Sequence, residues 1–347
     1  MQLDQHPMHL LIPFANSASP DCQAALKGLA LPNLGKLLRK LKLAHTDSAD
    51  ETTLSPPHER ALAAAFGIHA SDGQIPFGAY HALKAGHSVL PGRAWAVITP
   101  CHWAVQSQHI TMLSPRAIDL QDEESRALLA AMRPFFAEDG IDLFYDTHTR
   151  WLARGEVFAG LVTASPYRVI GGGEGKSVDA WLPRADAAKS LRRLQQEMQM
   201  LLYTHALTDS RSERGELAVN SFWVSGTGVM TATMLAWPAS AEITQVNTLR
   251  DAAMNGDWAA WAQAWQQIDA NDCAALLAAT ASKQNVTLTL CGERSAQIYG
   301  DLSDLDDLDK SYYKSSKNGP KIGQISVFFR FKNFLSLQLP NNIISLL

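Results

Sequence analysis

Apolar positions along the chain fall alternately into short runs and helical stripes. His9–Ala15 is apolar after its first residue, the pattern of a strand covered on both faces. In Pro32–Leu43 the residues Leu34, Leu37, Leu38 and Leu41 share one stripe, and Pro32 suits a first helical turn. Ser55, Pro56 and Pro57 predict a helix entry closed by Gly67, and Pro76–Ala85 a further helix closed by Gly86. Ala94–Thr99 predicts a strand stopped by Pro100, and Glu123–Arg133 a helix stopped by Pro134. Asp142–Asp146 and Arg150–Ala153 predict a hairpin about Thr147 and His148. The clearest helix follows Asp186, its expected cap. Leu191, Leu194, Met198, Leu201 and Leu202 share its apolar face, away from Arg192, Arg193, Gln196 and Gln199. Glu216–Val224 predicts a strand running into a glycine turn. Trp258, Trp261 and Trp265 recur at helical spacing, and Val286–Cys291 reads as the last strand. Buried-looking strands separated by helices predict an α/β fold with a mainly parallel central sheet flanked by helices on both faces.

Composition adds a boundary. After Ala296 the chain of 347 residues contains no alanine, an acidic stretch runs from Asp301 to Asp309, and the remainder carries basic residues and no acidic ones. The expected organisation is one α/β domain over residues 8–296 and a divergent tail over 297–347. Within that tail Ile325–Leu337 combines high β-propensity with little charge, an aggregation hazard unless paired. Hydrophobic residues make up 46% and charged residues 18%, enough apolar material for a large core. A net charge of −4 argues against a nucleic-acid partner, and no apolar run is long enough for a membrane span. The N-terminus is a poor signal peptide. Cys22, Cys101, Cys273 and Cys291 lie far apart, so they read as reduced thiols in a cytoplasmic protein.

Two glycine motifs imitate nucleotide sites. Gly171–Ser177 ends like a phosphate loop, but Ile170 stands where the first glycine belongs and Pro183 cuts short any following helix. Gly226-Thr227-Gly228 lacks the third glycine of a dinucleotide fingerprint, since position 231 is Thr. Sequence leaves that segment open between a tight turn and a ligand cradle.

The candidate chemistry lies at strand ends and helix starts. His102 follows a strand directly, where ligands gather in open α/β sheets. His58 and Arg60 occupy a helix start whose free N–H groups suit an anionic or polar ligand. Asn220 precedes the Gly226 turn, and Asn16 and Ser17 follow the first strand. Arg294 completes the set. Ser17 and His102 are the catalytic candidates. Asn16, His58, Arg60, Asn220 and Arg294 are the substrate-binding candidates, with His102 and Asn220 expected on one shared cavity. The tryptophan and methionine stripes predict packing. Arg192 and Arg193 predict a solvated face or an anion clamp.

Several segments together resemble a known family: HLLIPFA at His9–Ala15, LPNLGKLL at Leu31–Leu38, PPHERALA at Pro56–Ala63, TPCHW at Thr99–Trp103, RRLQQEMQMLLY at Arg192–Tyr203 and VNSFWVSGTG at Val219–Gly228. They resemble the proteobacterial cofactor-independent phosphoglycerate-mutase-like proteins, also described as regulatory proteins of the RpfE type. That family is distantly similar to the alkaline-phosphatase superfamily. The resemblance implies an α/β scaffold, a small phosphorylated metabolite as ligand, and a divalent metal, Mn or Zn, with a phosphorylated serine. It equally fits a non-catalytic regulatory module with a protein partner. Pro32-Asn33-Leu34 is similar to a segment near that superfamily's first metal. The first strand, however, ends in Pro13-Phe14-Ala15-Asn16, without the Asp-Gly that supplies a metal ligand.

Overall fold

The computed structural model describes residues 8–105, 109–170, 177–184, 188–236 and 243–300. In chain order it runs β1 (Met8–Ile12), α1 (Pro20–Lys27), α2 (Pro32–Lys40), β2 (Lys42–Ser48), α3 (Pro57–Ala65) and α4 (Phe77–Lys84). There follow β3 (Ala94–Cys101), β4 (Trp103–Val105), β5 (Ile110–Met112), α5 (Pro115–Ile118), α6 (Asp122–Glu138), β6 (Asp142–Thr147) and β7 (Arg150–Arg154). Next come α7 (Lys189–Tyr203), α8 (Ala206–Glu213), β8 (Ser221–Val229), α9 (Ala232–Leu235) and β9 (Ile243–Gln245). The last elements are α10 (Arg250–Asn255), α11 (Trp258–Ile268), α12 (Ala274–Ala281), β10 (Val286–Cys291) and β11 (Ser295–Gly300).

The chain divides into two compact units. Among the described residues the first comprises 8–50, 57–69 and 243–300, and the second those within 51–56 and 70–236. The first unit holds a five-stranded sheet in the order β2-β11-β10-β1-β9. β1 is parallel to both β10 and β9, whereas β11 is antiparallel to both β10 and β2. Leu10 and Ile12 pack with Leu34, Leu37, Trp261, Trp265 and Leu276 on one face. Leu11 points to the other, with Ala61, Cys291 and Ala296. Burial of alternate residues on opposite faces is what makes the first strand read as one apolar run. The composition break at Ala296 falls inside β11, which is buried through Gly300.

The second unit holds an antiparallel sheet in the order β6-β7-β3-β8 and a short β4-β5 pair. α6 and α7 bury Leu128, Met132, Phe136, Leu191, Leu194 and Met198 against Ile98, Trp151 and Phe222. The hairpin of β6 and β7, the α7 stripe and the glycine stops at Gly67 and Gly86 lie where the pattern placed them. Both glycines have positive φ.

The mainly parallel central sheet is corrected. One sheet is mixed and the other wholly antiparallel. β3 is an interior strand buried at all eight positions, and that signature is the same whether its neighbours run with it or against it. Pro134 does not end its helix either. α6 continues to Glu138, because that last turn carries the fully buried Phe136 into the core. Asp186, the Gly171 loop and the tail from residue 301 lie outside the described residues. Among the described residues no helix is long and apolar enough to cross a membrane.

Candidate functional site

Five of the seven candidate side chains belong to the first unit, around the carboxyl ends of the parallel strands β1 and β10. Asn16 and Ser17 follow β1, while Arg294 lies in the turn that joins β10 to β11. The Ala15 N–H donates to the Cys291 carbonyl at 2.8 Å, which ties the two strand ends together. Ser17 Oγ donates to Glu293 Oε1 at 2.7 Å and accepts from the Ser19 N–H at 3.1 Å. The Ala18 N–H donates to Glu293 Oε2 at 3.0 Å. Asn16 Oδ1 accepts from Gln23 Nε2 at 2.7 Å, and the same amide donates to the Ser17 carbonyl at 2.7 Å. A serine hydroxyl and a carboxylate therefore face each other just ahead of α1.

His58 and Arg60 stand in the first turn of α3, as the Pro56-Pro57 entry predicts. The buried His58 ring lies 4.9 Å from the Phe14 ring, tilted by 42°. Arg60 Nε donates to Asp47 Oδ2 at 2.7 Å. Burial pushes the Cys22 thiol up to about 11 and the Cys291 thiol higher still, so neither is a thiolate at neutral pH. All four cysteines are free and buried.

His102 and Asn220 belong to the second unit and lie side by side where β3 ends and β8 begins. Their polar atoms serve the backbone. Asn220 Oδ1 accepts from the Trp103 N–H at 2.7 Å and Asn220 Nδ2 donates to the Trp103 carbonyl at 3.0 Å, while His102 Nδ1 bonds the Ala218 carbonyl at 2.7 Å. The Gly226-Thr227-Gly228 segment, further along β8 opposite the start of β3, resolves as close packing. A Cβ on Gly226 would meet Gly78 N and Phe77 Cβ at 3.1 Å, and one on Gly228 would meet the Gln74 carbonyl at 2.8 Å. Thr227 Oγ1 donates to the Leu161 carbonyl at 2.7 Å. Arg192 donates to the Pro183 carbonyl, and Arg193 pairs with Asp139 and Glu197.

The residues present do not fit the divalent metal that the resemblance implies. Among the described residues no three His, Cys, Asp or Glu side chains stand close enough to share an ion. A two-ion centre needs several carboxylates to offset its charge. Glu293, the carboxylate beside Ser17, is taken by two hydrogen bonds. Asn33 and Leu34 serve a structural end instead. The buried Asp269 carboxylate accepts the Leu34 N–H at 2.7 Å and the Asn33 N–H at 3.2 Å, which closes the start of α2.

Sequence reasoning missed Glu293, Gln23 and Asp269. It also missed the use that Trp261 and Trp265 make of their indole N–H groups, which bond the Phe14 and Ala15 carbonyls at 2.9 and 3.3 Å. Glu293 had one available signal: Gly292 and Ser295 bracket it between two short apolar runs, the mark of a tight hairpin turn.

No protein-family profile matches the chain, and no curated protein does. Among solved structures it is similar to the PH0037 protein of Pyrococcus horikoshii, with 12% identity and a TM-score of 0.44 over 86% of this chain and 87% of that one. It is also similar to the cofactor-independent phosphoglycerate mutase of Thermoplasma acidophilum, with 14% identity and a TM-score of 0.35 over 86% and 90%.

Proposed function

We propose that the chain binds a small phosphorylated or carboxylated metabolite at the carboxyl ends of β1 and β10, as a module that does not run metal-dependent phosphoryl transfer. The observation that supports this most is the use of the polar groups there. Each already has a partner within the protein: Ser17 bonds Glu293, Asn16 bonds Gln23 and Arg60 bonds Asp47. Arg294 adds a guanidinium on an exposed turn, and α1 and α3 begin at the same end of the sheet. Guanidinium groups and helix starts both favour an anion. His102 and Asn220 have a structural role in this reading.

A catalytic reading has one observation in its favour, the Ser17 hydroxyl donating to the Glu293 carboxylate. In it Ser17 is the nucleophile and Glu293 takes its proton. Calorimetric titration with inorganic phosphate and 3-phosphoglycerate, with EDTA or with Mn²⁺, separates the two. Binding that survives the chelator, with no phosphate release in either buffer, is expected. Turnover that needs Mn²⁺ or Zn²⁺ and is lost in Ser17→Ala would establish the enzyme instead.

A further inference from the structure

The loop after β1 contains a backbone conformation that is costly for a residue with a side chain. Phe14 has φ of +57°, in the left-handed region that side-chain-bearing residues seldom adopt. Such outliers persist only where their surroundings over-determine them. Here two tryptophans do so. Trp261 Nε1 donates to the Phe14 carbonyl at 2.9 Å, and Trp265 Nε1 donates to the Ala15 carbonyl at 3.3 Å. The two residues are four apart on α11, so they rise from one face of the helix, with ring centroids 6.1 Å apart at 84°. Both are fully buried. From the other side the Cys291 carbonyl accepts the Ala15 N–H at 2.8 Å. Two successive carbonyls and one N–H are thus bound immediately before Asn16 and Ser17.

We infer that Trp261 and Trp265 are positioning residues, whose indole N–H groups lock Phe14 in its left-handed conformation and so present Asn16 and Ser17 at the strand end. The functional consequence rests on the binding reading above, but the lock is measurable without any ligand. A role in packing alone makes a different prediction. Phenylalanine fills most of the indole's volume and lacks the N–H, so Trp→Phe would leave the loop as it is.

The test uses the full chain with Trp261→Phe and Trp265→Phe, read by amide hydrogen exchange of residues 14–19 and by the affinity for inorganic phosphate. Each variant should speed exchange in 14–19 by about tenfold, the scale of one buried hydrogen bond. Exchange in β10 and α12 should stay at the wild-type rate, and phosphate affinity should fall by a similar factor. Adding Phe14→Gly should shrink the effect of Trp261→Phe on exchange to about twofold or less, since glycine takes positive φ without a clamp. Unchanged exchange in 14–19, an equal rise throughout the first unit, or no shrinkage beside Phe14→Gly overturns the proposal. If the single variants do not fold, the Phe14→Gly/Trp261→Phe double variant should recover folded protein, and its failure assigns the tryptophans to packing alone. A local rise in exchange where the wild type binds no phosphate leaves the lock standing and removes the binding reading.

Discussion

Replacing Asp269 with alanine separates a structural carboxylate from a metal ligand. Asp269 Oδ1 accepts the Leu34 N–H at 2.7 Å, and Oδ2 accepts the Asn33 N–H at 3.2 Å and Asn33 Nδ2 at 3.3 Å. The carboxylate reaches them from a π-helical turn at Asp269–Cys273, between α11 and α12. Loss of a helix cap costs about 1 kcal/mol, and a buried N–H left without an acceptor costs roughly 1–3 kcal/mol more. Leu34 is fully buried, whereas Asn33 is half-exposed and water can replace part of its loss. The sum is about 2–4 kcal/mol, a fall in thermal midpoint on the order of 10 °C for a unit of this size. Asp269→Asn keeps one acceptor oxygen and should lose about half as much. Urea unfolding followed by tryptophan fluorescence reads both variants, with and without Mn²⁺. A loss below about 1 kcal/mol in Asp269→Ala would refute the capping argument. So would a wild-type midpoint that rises with Mn²⁺ while the variant's does not, because only a metal ligand couples the ion to stability.

Three further outcomes are expected. His102→Ala and Asn220→Ala should each cost about 1–3 kcal/mol of stability through unpaired backbone groups, and calorimetry should find phosphate affinity unchanged. Burial holds His81 down at about 4, so the folded chain binds fewer protons than the unfolded one below the ordinary histidine value of 6.5. Its contribution is fully present above pH 6.5 and is lost as pH falls to about 4, up to about 3 kcal/mol. His81→Leu should remove that share of the slope and leave the share of His9, which burial also holds down at about 4, and an unchanged slope would contradict the assignment. Truncation after Gly300 keeps β11 whole, so the thermal midpoint should move by less than about 2 °C, the shift of roughly half a kcal/mol, and solubility should rise. A drop of several degrees would show that the tail contributes to the core.

Much of the local structure was legible because single elements carry their own signature. The α7 stripe, the β6–β7 hairpin and the glycine stops follow from side-chain periodicity and backbone sterics alone. Strand direction was not legible, because Ala94–Cys101 is buried at every position and a run without alternation says nothing about its neighbours. β2 was missed since Lys42–Ser48 is largely exposed and polar. Pro134 misled because a local propensity was outweighed by the burial of Phe136. Asn16, Ser17, His58 and Arg60 were candidates from their places at a strand end and a helix start, and Arg294 had no such signal. The sequence could not supply Glu293 as the partner of Ser17, since that pair joins residues 276 positions apart. Nor does helical spacing reveal which carbonyls the Trp261 and Trp265 N–H groups meet.

The most direct measurement locates an anion on the protein. Crystals grown with EDTA and soaked in tungstate, a phosphate mimic with strong anomalous scattering, should show a peak within hydrogen-bonding reach of Arg294 or Ser17 Oγ. A peak only at His102 and Asn220, or none in the first unit until Mn²⁺ is added, would contradict metal-independent anion binding at the ends of β1 and β10.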